Sequence, residues 1–143
     1  MIPLFKVFMD EGASPAVVKT LESGYIGQGQ KVEEFEGILR EHFSCPWVNT
    51  LNSATSGLQL ALHMAKNGIS NEVLTSPLTC TATNFAILAE GLKPRWVDVD
   101  QRTGNMDMDD LERKVGPRTL ALLLVHWGGY PCDLAQVRDL TAL

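Results

Sequence analysis

The sequence predicts an α/β chain built on a mainly parallel sheet. From residue 47 onward, short apolar runs alternate with capped or amphipathic helical runs, and the intervals between the apolar runs are long enough for helical crossovers. Leu120 to Val125 is a continuous apolar run, the pattern of a strand covered on both faces.

Taken in order, Ser14-Pro15 stands before Ala16, Val17, Val18 and Leu21, with Ser23-Gly24 beyond them. This predicts a first helix with Ser14 as N-cap, Pro15 at its first position and Gly24 just past its end. A glycine turn, Gly24 to Gly29, leads to Val32, Phe35, Ile38, Leu39 and Phe43 at helical spacing, with Glu33, Glu34, Glu36 and Arg40 between them. That is an amphipathic second helix with an apolar side turned to a sheet. The strand and helix rhythm then begins: a strand at Trp47 to Leu51, a helix at about Thr55 to Ala65, a strand at Glu72 to Thr75, and a helix at about Thr81 to Ala89 closed by Gly91. A strand at Arg95 to Val99, a helix from Met108 to Val115 capped by Asp107, a strand at Thr119 to Val125 and a last helix from Asp133 complete it. One domain is expected, with helices and the glycine turn in 1–46 and strand–helix repeats in 47–143. Leu140-Thr141-Ala142-Leu143 stops inside a helical pattern without a C-cap glycine, and the expectation is a chain cut rather than finished.

Composition narrows the function classes. With 45% hydrophobic and 20% charged residues the chain has the makeup of a folded soluble protein. A net charge of −5 with scattered lysines and arginines gives no basic surface for nucleic acid. Cys45, Cys80 and Cys132 are far apart and lack metal-ligand spacing, so neither zinc nor a disulfide framework is indicated. The apolar start, Met1 to Phe8, lacks a basic leader and runs into Asp10 and Glu11, unlike a signal peptide. No apolar run approaches the length of a membrane helix, and a cytoplasmic location is expected.

In open α/β sheets ligands sit beyond the carboxyl ends of strands, so the loops there are where chemistry is sought. Asn52-Ser53-Ala54-Thr55-Ser56-Gly57 opens a helix with small hydroxyl residues, and free N–H groups with the helix dipole make such a start a phosphate cradle. Ser53 acting simply as a helix cap is an equal alternative on these residues alone. Ser76 to Asn84 is dense in hydroxyl and amide groups; Cys80 within it reads as a small buried hydrophobe, with nothing basic beside it to make a nucleophile. His126-Trp127-Gly128-Gly129-Tyr130-Pro131 combines an imidazole, aromatics and glycines, and its histidine reads first as a hydrogen-bonded structural group. Gly27-x-Gly29 has Val32 where a dinucleotide fingerprint needs its third glycine, and no GxxxxGK[ST] element exists. A nucleotide-dependent oxidoreductase is thereby placed well behind.

Several segments in order resemble the DegT/DnrJ/EryC1/StrS sugar aminotransferases, a family of fold-type I pyridoxal phosphate enzymes. Ser23 to Glu36 resembles the family's S-G-(aromatic)-x-x-x-G-x-x-V-x-x-F-E signature, and Asn52 to Leu58 its S-(G/A)-T-x-(A/G)-(L/M) phosphate loop. Pro94 to Asp100, Pro117-Arg118-Thr119 and Val125 to Asp133 resemble its P-x-F-V-D-(I/V)-D, P-(R/K)-T and V-H-x-x-G-x-P-x-D elements.

The resemblance implies a three-layer sandwich with a mainly parallel sheet, of which this chain is an incomplete, N-terminal portion of the large domain. It implies pyridoxal 5'-phosphate as cofactor, held at Ser53, Ala54, Thr55 and Ser56, with Thr55 and Ser56 as phosphate contacts. Cys80 takes the position of an aromatic residue that often stacks on the cofactor ring; a thiol offers sulfur contact but no π face. Tyr25, Ile26 and Gly27 fall on the sugar-nucleotide side, and Asn84 has no implied role. The family's aspartate for the pyridine nitrogen and its cofactor-binding lysine are expected beyond Leu143, while Lys6, Lys19, Lys31, Lys66, Lys93 and Lys114 align to non-catalytic positions. The implied activity is amino transfer, with glutamate as donor, to a nucleotide-linked keto sugar by a homodimer, with this chain alone inactive. The alternative is a non-catalytic relative that still binds phosphate ligands or the cofactor.

Overall fold

The computed structural model describes residues 2, 3 and 5–141; the expected cut helix end at Ala142-Leu143 lies outside them. The chain divides into two units, Met1–Thr50 and Leu51–Leu143.

In the first unit, α1 spans Ala13–Glu22 and α2 spans Gln30–His42. The cap of α1 is Gly12 and not Ser14. Asp10 organises the entry instead: its carboxylate accepts the Gly12 N–H at 2.8 Å and its carbonyl accepts that of Ala13, which leaves Ser14 inside the first turn. The exit is as expected, with Gly24 at φ 75° after the helix.

The sequence sets Glu36 on the polar side of α2, yet it is the one buried residue of that helix while Phe35 and Ile38 are exposed. The reversal has a polar cause. The Glu36 carboxylate accepts the Thr50 N–H at 2.8 Å and the Thr50 hydroxyl at 2.9 Å through one oxygen, and Arg40 through the other at 3.2 Å. These bonds hold its pKa below the ordinary carboxylate value, the Thr50 N–H first among them. They also correct the strand expected at Trp47 to Leu51. Thr50 gives its N–H to a side chain, and the segment joins no ladder among the described residues.

The second unit contains α3 (Ala54–Ala65), β1 (Glu72–Thr75), α4 (Thr81–Ala89), β2 (Lys93–Trp96), α5 (Met108–Lys114), β3 (Thr119–Leu123) and α6 (Leu134–Thr141). The described strands form a parallel three-stranded sheet in the order β2-β1-β3, with Val73 beside Pro94 and Ala121. Alternation along buried β1 builds two cores, because successive side chains of a strand point to opposite faces. Val73 packs with Leu62, Ala86, Ile87, Leu92 and Leu123 under α3 and α4. Leu74 packs with Val97, Met106 and Leu111 over α5. Helices on both faces of a parallel sheet make the expected three-layer arrangement.

The outer strands end earlier than the apolar pattern suggests. β2 leaves the ladder after Val97, whose N–H reaches the Thr75 carbonyl; the next N–H, of Asp98, goes to the Asp110 carboxylate at 2.8 Å. Val99 then pairs antiparallel with Met106. β3 ends at Leu123 because its partner ends opposite, at Thr75.

Candidate functional site

The topology gathers loops at one end of the second unit. α4 departs from the carboxyl end of β1, whereas α3 leads into the start of β1, so both helices present their N-termini at the carboxyl end of the sheet. Ser53 to Ser56 and Cys80 therefore lie at the same end, where α/β sheets bind ligands.

At the start of α3, Ser53 is an extended N-cap whose hydroxyl oxygen accepts the Ser56 N–H at 3.1 Å. The Ser56 hydroxyl donates to Asn52 Oδ1 at 2.9 Å and stands 2.9 Å from that of Ser53. With its proton given to Asn52, Ser56 accepts from Ser53. The capping role is thus real, and it leaves room for a ligand. Capping satisfies only one of the first-turn donors. The N–H groups of Ala54 and Thr55 and the Thr55 hydroxyl have no acceptor among the described residues. A phosphate monoester fits this arrangement, since it supplies acceptor oxygens and negative charge where the helix offers unpaired donors and the positive end of its dipole. The segment Asn52 to Gly57 carries no charge of its own to oppose it.

Cys80 is the N-cap residue of α4 and is exposed, which corrects the buried-hydrophobe reading. Neighbouring polar groups fix the backbone around it: Thr83 N–H donates to the Cys80 carbonyl, and Thr79 and Thr83 hydroxyls are 3.1 Å apart. Asn84 is the contributor that residue type alone did not single out; it bonds Thr75, nine residues back across the loop.

Tyr25, Ile26 and Gly27 belong to the first unit, where Tyr25 and Ile26 are exposed and the Tyr25 N–H donates to the Ser23 hydroxyl at 3.2 Å. Ile26 joins Val17, Thr20, Leu21 and Lys31 along a groove of about 340 Å³.

The loop after β3 is structural, as expected for its histidine. His126 Nδ1 accepts the Cys132 N–H at 3.1 Å, and buried Asn105 accepts the Trp127 N–H at 2.9 Å while donating to the Tyr130 carbonyl at 3.0 Å. Burial pushes the Cys132 thiol pKa up, which makes it inert. Beside this loop is a cleft of about 480 Å³ lined by Asp100, Asp107, Tyr130 and Asp133 among others. Three of its four carboxylates already hold protein groups: Asp107 caps α5, Asp133 accepts N–H groups of α6, and Asp100 accepts the Arg102 N–H, while Asp109 lines the cleft beside them. No group of residues among those described could hold a metal ion, and no described helix is long and apolar enough to cross a membrane.

The description of the DegT/DnrJ/EryC1/StrS aminotransferase family matches residues 8–142. The crystal structure of sugar aminotransferase CalS13 from Micromonospora echinospora superposes with a TM-score of 0.90 at 48% identity, covering 98% of this chain and 38% of that one. The putative sugar aminotransferase Spr1654 from Streptococcus pneumoniae, in its PLP form, gives a TM-score of 0.89 at 33% identity, covering 97% of this chain and 36% of that one. The dTDP-4-dehydro-2,3,6-trideoxy-D-glucose 4-aminotransferase of Saccharopolyspora spinosa is 31% identical over 141 residues, 97% of this chain and 37% of its own length. The chain thus spans little more than a third of the length of these relatives. The cofactor they indicate is pyridoxal phosphate. From its motifs, its three-layer fold and a match over nearly its whole length, the chain belongs to the DegT/DnrJ/EryC1/StrS aminotransferase family.

Proposed function

We propose that the protein carrying this chain transfers an amino group, with glutamate as donor, to the keto group of a nucleotide-linked sugar in the cytoplasm. In this reading these residues form the phosphate side of the pyridoxal phosphate site. The carrying observation is the start of α3, where Ala54 N–H, Thr55 N–H and the Thr55 hydroxyl are donors without acceptors. Bound there, the cofactor supplies the electron sink that amino transfer requires. The residues of this chain bind and orient: Ala54 and Thr55 donate to phosphate oxygens, and Ser56 can turn its proton from Asn52 toward them. Cys80 sets the edge of the ring site through its sulfur, and Tyr25, Ile26 and Gly27 serve the sugar-nucleotide side.

In the same reading, the lysine that holds the cofactor comes from outside these residues. Lys66 ends α3, a helix about 18 Å long, at the far end from Ser53, and bonds Glu90 at 2.7 Å. Lys93 opens β2 at the amino end of the sheet, and Lys114 is bound to Asp110 at 2.6 Å. The chain alone is therefore expected to bind the cofactor reversibly and not to transaminate.

The test is an absorbance titration of the chain with pyridoxal phosphate, repeated against inorganic phosphate, followed by borohydride reduction and mass spectrometry. Saturable binding that phosphate displaces, with no single modified lysine, is expected. Reduction onto one specific lysine overturns the placement of that residue elsewhere, and binding indifferent to phosphate overturns the role of Ser53 to Ser56. Amino transfer to a nucleotide-linked keto sugar by the full-length protein tests the reaction itself, and cofactor binding without any transfer favours the non-catalytic relative.

A further inference from the structure

The carboxyl end of β1 is gripped by a side chain from the helix that follows it. Asn84, in the first turn of α4, accepts the Thr75 hydroxyl proton through Oδ1 at 2.8 Å and donates from Nδ2 to the Ser76 carbonyl at 3.1 Å. The orientation of the amide is set by chemistry, because a carbonyl can only accept. Thr75 is fully buried and Ser76 nearly so, while Asn84 is half-buried, so each bond has one end withdrawn from water. The rest of the loop is tied in sequence: Ser76 hydroxyl accepts the Leu78 N–H, Pro77 carbonyl accepts that of Thr79, Thr79 bonds Thr83, and Thr83 N–H returns to the Cys80 carbonyl. One helical turn thus holds both ends of the loop that delivers residue 80.

We propose that Asn84 is a positioning residue for the cofactor, setting the place of the Cys80 backbone and sulfur at the ring through its clamp on Thr75 and Ser76. The proposal rests on the reading that residue 80 borders the cofactor ring. A thiol is shorter than an aromatic side chain and has no face to slide along, so its contact with a ring depends more strictly on where the backbone puts it. A carboxylate at position 84 still accepts from Thr75 but turns an oxygen toward the Ser76 carbonyl, opening the clamp at one defined bond.

The experiment uses the full-length protein freed of cofactor and titrated with pyridoxamine phosphate, which binds without a covalent bond to lysine. Inorganic phosphate is titrated in parallel, and amide exchange is followed across residues 76–83. For Asn84→Asp, pyridoxamine phosphate binding is expected to weaken about tenfold, the scale of one hydrogen bond, with phosphate affinity unchanged and exchange across 76–83 accelerated. Thr75→Ser, which keeps the hydroxyl, should behave as the native protein; Thr75→Val, similar in shape without it, should follow Asn84→Asp. Equal losses for pyridoxamine phosphate and inorganic phosphate would mean that Asn84 only supports the fold, and the proposal would be overturned. Faster exchange with native pyridoxamine phosphate affinity would overturn it as well. A native protein that does not bind pyridoxamine phosphate sinks the cofactor reading itself, a failure visible before any variant is compared.

Discussion

Gly104 shows what a single missing methyl does for the loops at the carboxyl end of the sheet. Its φ is 72°, and a Cβ there would stand 2.6 Å from Cδ1 of Trp127, well inside contact distance. Both the backbone and the indole therefore require glycine. Gly104→Ala is expected to destabilise the chain by about 2 kcal/mol through left-handed strain and displacement of Trp127, read as a lower denaturant midpoint and altered tryptophan emission. A native midpoint would show that the loop has an unstrained alternative. Residues of this kind mark the limit of sequence reading. The Asp107 cap was legible because its carboxylate accepts the Asp110 N–H three residues away, a spacing visible in the chain itself. Glu36 finds Thr50 fourteen residues on, and Asn105 reaches Trp127 and Tyr130 across more than twenty. No local periodicity encodes those pairings, so Glu36 looked like surface. The Ser53 cap was legible for the same local reason as that of Asp107, since its hydroxyl accepts the Ser56 N–H three residues on.

At the scale of elements, α5 depends on one carboxylate. Asp110 accepts Lys114 at 2.6 Å, the Asp98 N–H at 2.8 Å and Arg113 at 3.2 Å, joining the helix to the chain leaving β2. Lys114, then the Asp98 N–H, hold its pKa down to about 2. A carboxylate depressed from about 3.9 in the unfolded chain stabilises the fold fully above pH 4, and this contribution fades as pH falls from 4 to 2. Its size is about 2 kcal/mol at neutral pH, with little from the exposed Arg113. Unfolding measured from pH 6 to 2 for the native chain and Asp110→Asn should give curves that converge near pH 2; a constant gap would mean that burial and packing, not charge, make the difference. β2 was read two residues late at its start, Lys93–Trp96 against the expected Arg95 to Val99, and the same carboxylate explains why it was carried too far at its end. The apolar run through Val99 has strand character, but the Asp98 N–H is taken by a side chain the local pattern cannot foresee. β1 and α4 were read with their true bounds because the turn residues that end them adjoin them in sequence.

Across the whole molecule, apolar surface is the feature that composition hides. In the second unit α3 and α4 pack side by side, and both carry exposed large apolar residues: Leu60 and Met64 on one, Phe85 and Leu88 on the other. The first unit exposes Val17, Val18 and Leu21 on α1 and Phe35 and Ile38 on α2. Single exposed apolar residues are ordinary, but apolar side chains exposed together on two packed helices, as on α3 and α4, favour association. At moderate salt the repulsion from a net charge of −5 is screened beyond about 10 Å, so it weakens before apolar faces meet. The chain is therefore expected to self-associate, and sedimentation velocity should show species heavier than the monomer that grow with concentration. Met64→Asp with Phe85→Asp places like charges on the α3 and α4 surface and should shift the distribution toward monomer without changing the helical content. If the native chain sediments as a monomer at every concentration, these side chains are tolerated in water and association is refuted; if it associates but the double variant associates equally, the contact surface lies away from α3 and α4.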